Sequence, residues 1–191
     1  LRELLKSTNA KIYCLIRKGE FDTAAKRLLA TINKFHLEND VSLNDRRIIA
    51  IASDLSADNF GLPVEQYNSL LEKIDLIYHC GAQVNIMASY NKLRGSNVIG
   101  TLEVIKFATT RYDKPIHYIS TLSSAYQKDA EGSLSEVFPE ASYEELSGGY
   151  AISKWVAERL LTEVKDRGLP VQIYRSGYIS GQSDTGQANF N

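Results

Sequence analysis

Ile74-Asp75-Leu76-Ile77-Tyr78-His79-Cys80-Gly81-Ala82 is a short apolar run that ends in small residues. It is followed by a stretch with helical spacing of apolar residues from Tyr90 to Thr109. A β-rich run that stops at Gly-Ala before a helix is the pattern of a buried strand feeding a crossover helix. The same pattern recurs on either side. Lys11–Ile16, Arg47–Ala52, Pro115–Ser120 and Val171–Arg175 read as further strands. Helical patterns run from Phe21 to Leu37, from Pro63, where proline suits a first turn, and from Gly149 to Arg167, closed by Gly168 and Pro170. Strands alternating with helices of ten or more residues imply βαβ units and an α/β fold, a doubly wound parallel sheet with helices on both faces. Nearly all-apolar strands agree with that burial.

The bulk composition is that of an ordinary globular domain. The chain has 191 residues, 43% hydrophobic and 24% charged, with a net charge of -1. Neither nucleic acid nor an anionic membrane is called for by that charge, and no apolar run approaches the ~20 residues of a membrane span. Cys14 and Cys80 sit in strand-like runs and read as buried thiols of a cytoplasmic protein. His36 reads as a helix-surface residue and His117 as the start of a strand. No cysteine and histidine cluster has metal-ligand spacing. The segment Gln127–Ser147, rich in Glu and Ser, reads as an irregular surface stretch. Leu1–Lys6 reads as the remainder of a helix, so the chain is expected to be a piece of a longer one.

In parallel sheets of this kind ligands bind at the carboxyl ends of the strands, and the notable residues lie there. Arg17-Lys18 follows the first strand, as a solvated pair or as a basic site for the 2′-phosphate of NADP. Ser53-Asp54-Leu55 follows the second, as an Asx turn or as an adenine contact. His79-Cys80-Gly81-Ala82 follows the third, as a tight turn or as backbone that a cofactor passes closely. Asn97 lies in the long helix and must satisfy its amide, by packing or by anchoring a relay water. Ser120-Thr121-Leu122-Ser123-Ser124 follows the fourth, as a plain loop or as hydroxyls for a substrate carbonyl. Arg175-Ser176-Gly177-Tyr178-Ile179 follows the fifth, as a turn or as an approach to nicotinamide. In Gly149-Tyr150-Ala151-Ile152-Ser153-Lys154, Tyr150 and Lys154 stand one helical turn apart on one face. A phenol beside an ammonium is expected to titrate low and to serve as a proton donor. Coincidence at one strand end is cheap; coincidence at five in succession is not.

These stretches, with Gln83-Val84-Asn85, Leu93-Arg94-Gly95-Ser96-Asn97-Val98-Ile99-Gly100-Thr101, His117-Tyr118-Ile119-Ser120-Thr121 and Lys154-Trp155-Val156-Ala157-Glu158-Arg159-Leu160, resemble the extended short-chain dehydrogenase/reductases. More narrowly they resemble the thioester reductase domains of nonribosomal peptide synthetases, carboxylic acid reductases and aminoadipate-semialdehyde enzymes. The resemblance implies that residues 1–191 are a partial NADP-binding Rossmann-like domain. It implies Tyr150 as proton donor, Lys154 as the residue that tunes it and holds the ribose, and Thr121, with Ser123 as runner-up, as the hydroxyl on the carbonyl. It implies Arg17 as the NADP-selecting residue, Asp54 and Leu55 at the adenine, and His79, Cys80, Gly81 and Ala82 beneath the cofactor. Asn97 becomes the relay or helix-anchoring residue, and Ser176, Gly177 and Ile179 border the nicotinamide. Ser176 stands where many relatives carry proline. The implied activity is NADPH-dependent reductive release of an acyl or peptidyl thioester to an aldehyde, or on to an alcohol. The implied partner is a carrier protein bearing a phosphopantetheine thioester, or acyl-CoA. The family's Gly-rich first βα turn and its C-terminal substrate subdomain have no counterpart in these 191 residues, so this piece is expected to bind NADPH poorly by itself. The rival readings are a small-molecule epimerase, dehydratase or ketone reductase of the same fold, and a non-catalytic NADP-binding scaffold.

Overall fold

The computed structural model describes residues 1–124, 144, 146–177, 179, 181 and 186. The expected stretch Gln127–Ser147 therefore lies largely outside the described residues. The chain divides into two compact units, Leu1–Asp54 with Ile179–Asn191, and Leu55–Tyr178.

In the first unit, β1 (Ile12–Ile16) pairs parallel with β2 (Ile48–Ala52), Ile12 beside Ile48 and Ile16 beside Ala52. Helices α1 (Arg2–Ser7) and α2 (Ala24–Lys34) accompany them. Leu5, Ile32, Val41 and Ile48 form the core, with Ile12, Cys14, Leu28, Leu37 and Leu43 packed against it. The sequence pattern suggested a helix from Phe21, but it begins only after Thr23, whose hydroxyl accepts from the Lys26 N–H at 3.1 Å. A threonine at this position satisfies one of the orphan N–H groups of the first turn. The helix stops at Lys34, and His36 lies beyond it, exposed, at φ 48°. Arg47 joins the start of β2 to the end of α1: its Nη1 donates to the Leu5 carbonyl at 3.1 Å and the Thr8 carbonyl at 2.9 Å.

In the second unit, β3 (Ile77–His79), β4 (Ile116–Thr121) and β5 (Val171–Ser176) form a parallel sheet in that order. Among the described residues the strands pair as two parallel sheets, one in each unit. Helix α3 (Val64–Lys73) follows a 3-10 turn at Asp58–Gly61. The expected helix over Tyr90–Thr109 is three pieces: α4 (Tyr90–Arg94), a π-helical turn (Gly95–Ile99) and α5 (Gly100–Thr109). The Phe60, Tyr67 and Phe107 rings pack at 5.4 to 6.1 Å and bind the 3-10 turn to α3 and α5. Helix α6 runs from Gly149 to Asp166. Gly168 ends it at φ 106°, with the Leu169 N–H on the Val164 carbonyl at 3.0 Å, a left-handed glycine cap.

Strand β4 alternates cleanly. Ile116, Tyr118 and Ser120 are buried, while His117, Ile119 and Thr121 on the other face are half-buried. The buried face meets α6, which turns Ala151, Ser153, Lys154, Ala157, Glu158 and Leu161 inward. The other face carries a row of rings, Tyr78, His117 and Tyr174, with centroids 4.8 and 5.8 Å apart and a 2.7 Å bond between His117 Nδ1 and the Tyr174 hydroxyl. Tyr78 and Tyr174 are 45% and 44% exposed. The burial of both faces suggested by the apolar strands therefore holds for one face only. Cys14 is half-buried and Cys80 exposed, and both are free thiols, which corrects the expectation of two buried ones.

Candidate active site

The second unit gathers most of the predicted residues at the carboxyl ends of its strands. Cys80, Gly81 and Ala82 follow β3, Thr121 ends β4, and Ser176 and Gly177 end and follow β5. Thr121 and Ser176 are register neighbours. The Thr121 hydroxyl accepts from the Ser123 N–H at 3.2 Å and lies 3.4 Å from the Ser123 hydroxyl, so the two candidate hydroxyls are held as a pair. Leu55 packs its side chain onto Gly81: a Cβ at Gly81 would lie 2.4 Å from Leu55 Cδ1. The absent side chain is what lets Leu55 lie against the backbone after β3.

Helix α6 supplies Tyr150 and Lys154. Its start is fixed by a close backbone approach at Gly149, where a Cβ would stand 2.3 Å from Tyr90 N, 2.4 Å from Ser89 C and 2.5 Å from Ala88 O. The first turn of α6 thus lies directly on the first turn of α4. Tyr150 is half-buried. Lys154 is only 2% exposed; its Nζ donates to the Ile119 carbonyl at 2.7 Å and sits 4.0 Å from the Tyr118 ring centroid. A cation over a ring face and on a carbonyl is held twice. Burial brings the Lys154 amine down to about 8, while Glu158 and Cys80 act in the opposite sense. The phenol does not behave as the sequence suggested. Burial pushes Tyr150 above its ordinary value, and the Lys154 ammonium is occupied by the β4 carbonyl and the Tyr118 ring instead of lowering it.

His79 and Asn97 lie inside. His79 is buried, and its Nε2 is 3.1 Å from the Thr101 hydroxyl, which itself donates to the Asn97 carbonyl at 2.7 Å. With that proton committed, the hydroxyl accepts from an imidazole protonated at Nε2. Burial, followed by the nearby Lys154 charge, lowers His79 to about 3, which keeps it neutral. The Asn97 amide is fully employed: Oδ1 accepts from the Gln83 N–H at 2.7 Å, and Nδ2 donates to the Gln83 carbonyl at 3.1 Å and the Ser153 hydroxyl at 3.0 Å. It fastens the loop after β3 to α6 from within the π-helical turn, a distortion often found at functional sites.

Sequence reasoning passed over a buried charge cluster. Glu158, one turn after Lys154, is fully buried. Its Oε1 accepts from the hydroxyls of Ser120 and, at 2.7 Å, Ser124. Its Oε2 accepts from Arg175 Nε at 3.0 Å and Nη2 at 2.9 Å. The i, i+4 spacing from Lys154 was the available signal.

The remaining predicted residues belong to the first unit. Arg17 directly follows β1 and is exposed, Asp54 lies two residues past β2 and is exposed, and Ile179 is exposed. They sit at the carboxyl edge of that unit's own sheet or, for Ile179, beyond the second unit's β5. Among the described residues no group of three His, Cys, Asp or Glu side chains is placed to hold a metal ion, and no helix is long and apolar enough to cross a membrane.

A sequence profile for an NAD-binding family, described as Male sterility protein, matches residues 1–191. The chain belongs to that family. It is 39% identical over 189 residues to a linear gramicidin synthase of Brevibacillus parabrevis, a match that covers 97% of this chain and 4% of that protein. Among solved structures it superimposes on the terminal R domain of the myxalamid PKS-NRPS pathway with a TM-score of 0.88 and 37% identity, covering 98% of this chain and 47% of that one. It also superimposes on a thiolation-reductase di-domain from an archaeal nonribosomal peptide synthetase, with a TM-score of 0.75 and 30% identity, covering 96% and 41%. The chain spans under half the length of these solved reductase chains and a small part of the curated synthase. The α/β fold with parallel sheets is that of the reductase domains. The site suits the dinucleotide of an NAD-binding family. Lys154 carries three N–H donors, and its one carbonyl acceptor leaves others for ribose hydroxyls. Gly81 and Gly177 present exposed backbone at strand ends.

Proposed function

We propose that this chain is the nucleotide-binding part of a cytoplasmic NADPH-dependent thioester reductase, which releases an acyl or peptidyl group as an aldehyde. The group arrives as a thioester on the phosphopantetheine of a carrier protein, or on CoA. The observation that supports the reading is that helix α6, which carries Tyr150 and Lys154, sets the Lys154 Nζ on the Ile119 carbonyl of β4, the strand that ends in Thr121, in a chain of an NAD-binding family.

A bound NADPH supplies the hydride that the thioester carbon accepts. Lys154 holds ribose hydroxyls with the N–H groups that Ile119 leaves free. The Thr121 and Tyr150 hydroxyls donate to the carbonyl oxygen and stabilise the negative charge that develops there. Burial keeps Tyr150 protonated well above neutral pH, so it enters the reaction as an acid and passes its proton to that oxygen. The resulting hemithioacetal loses the carrier thiol, its hydroxyl proton going to sulfur as the carbon–sulfur bond breaks. A second round on the aldehyde gives the alcohol. Arg17, past the end of β1 with no side-chain hydrogen bond among the described residues, is assigned the 2′-phosphate that separates NADP from NAD.

The test is the full-length protein with a carrier-bound or CoA acyl thioester. Aldehyde or alcohol should appear with matching loss of NADPH and release of free thiol. Loss of the thioester without NADPH consumption would mean hydrolysis and would remove the reading.

A further inference from the structure

The Glu158 carboxylate is a buried charge beside the site that the proposed mechanism does not use. It stands on the buried face of α6, one turn from Lys154 and two from Tyr150. Its partners come from three other pieces of chain: Ser120 in β4, Ser124 in the turn that follows and Arg175 in β5. Thr121 lies between Ser120 and Ser124, and Ser176, its register neighbour, follows Arg175. The Ser124 hydroxyl is also 2.7 Å from the Thr121 carbonyl, so its single proton is shared between the Thr121 backbone and the Glu158 carboxylate. Both oxygens of the carboxylate face donors, as a buried charge requires. Arg175 alone would neutralise the charge. Pairing with Arg175 does not require two serines on the other oxygen, nor placement beside Lys154.

We propose that Glu158 is a positioning residue of the reductase centre: its carboxylate, one helical turn from Lys154, clamps the ends of β4 and β5 so that the Thr121 hydroxyl is presented to the substrate. The inference rests on the reading of Thr121, Tyr150 and Lys154 given above. One observation carries it independently of that chemistry: the clamp brackets Thr121 on both sides. The charge of Glu158, one turn from Lys154, opposes the effect of burial on that amine and agrees with the proposal. The groups that face Lys154 among the described residues are Tyr118 on β4, His79 and Cys80 at the end of β3, and Glu158 on its own helix. His79 is neutral and desolvation of its sulfur raises the Cys80 thiol, although the residue as a whole is exposed, so Glu158 is the carboxylate of this set.

The experiment compares Glu158→Gln with the unsubstituted full-length protein. Turnover of octanoyl-CoA with NADPH is measured beside the titration of Lys154, followed by NMR after ¹³C reductive methylation and assigned by the resonance lost in Lys154→Arg. The clamp requires kcat to fall by roughly 10²-fold, as expected for a hydroxyl displaced by about 1 Å, with KM little changed. It also requires the Lys154 midpoint to move to lower pH. A Lys154 midpoint that stays in place, with a kcat that falls only as folded protein is lost, overturns the proposal and leaves Glu158 a structural counter-ion. If Glu158→Gln does not fold, Ser124→Ala removes the hydroxyl shared by the Thr121 carbonyl and Glu158 without orphaning a charge. It should lower kcat severalfold at an unmoved Lys154 midpoint, and an unchanged kcat there overturns the clamp. Absence of thioester turnover in the unsubstituted protein would refute the functional reading itself. The Lys154 titration would then still decide whether Glu158 tunes it.

Discussion

Replacing Gly149 by alanine should damage turnover out of proportion to the single methyl group added. The new Cβ would lie 2.3 to 2.5 Å from three backbone atoms of Ala88, Ser89 and Tyr90. These atoms belong to the start of α4 and cannot swing aside as a side-chain tip could. Ordinary contact begins near 3.4 Å, so the first turn of α6 must move by about 1 Å relative to α4. Tyr150 is the next residue and moves with it. Overpacking of this kind costs about 1–3 kcal/mol of stability, or several degrees of melting temperature in a domain of this size. A 1 Å error at a reacting group costs about 10²-fold in rate. The assay is kcat and KM for thioester reduction alongside a thermal melt, with Gly95→Ala as the comparison. A Cβ at Gly95 would meet nothing nearer than Ser56 Cβ at 3.7 Å, so that helical substitution should leave the melt unchanged or slightly raised. A Gly149→Ala enzyme with both kcat and melting temperature of the unsubstituted protein would refute the close approach.

Three further outcomes follow from the same geometry. Turnover should decline as pH rises through about 8, because Lys154 then loses the proton that holds the ribose while the raised Tyr150 keeps its own; a flat profile to about pH 9.5, beyond the lowered Lys154 value, would remove Lys154 from that role. Acid should destabilise the fold through His79, whose native value of about 3 lies below its ordinary 6.5. Here the unfolded chain binds the extra proton, so stability present above pH 6.5 is lost at about 1.4 kcal/mol per pH unit below it until the native ring protonates near 3. Denaturant melts at pH 7 and pH 5 should differ by about 2 kcal/mol, and a His79→Leu protein should lose much of that difference. Arg17→Glu should weaken NADPH relative to NADH by at least about tenfold; an unchanged cofactor preference, measured by paired KM values, would exclude Arg17 from the 2′-phosphate.

The strands were legible as apolar runs between turn residues, and the long helix α6 by its helical spacing. The alternation of Ile116, Tyr118 and Ser120 with His117, Ile119 and Thr121 came only with the structure. The strand-end location of Cys80–Ala82, Thr121 and Ser176–Gly177 followed from topology alone. The π-helical turn at Gly95–Ile99 was not legible, since one inserted residue barely disturbs a helical pattern. Gly149 reads as the start of a helix, and only the structure reveals it as a point of backbone contact. Glu158 was passed over because its partners come from β4 and β5, 17 to 38 residues away in the chain. The direction of the Lys154 amine was hidden for the same reason. Helical spacing places it near Tyr150, but the Ile119 carbonyl, 35 residues away in sequence, captures it.

The most direct test of the account is the turnover of a carrier-bound acyl thioester by Tyr150→Phe in the full-length protein, with NADPH binding measured in parallel. The account expects the cofactor to bind with little change and kcat to fall by roughly 10²-fold or more. Turnover close to that of the unsubstituted protein would contradict it, because the phenol at the start of α6 would then not be the acid.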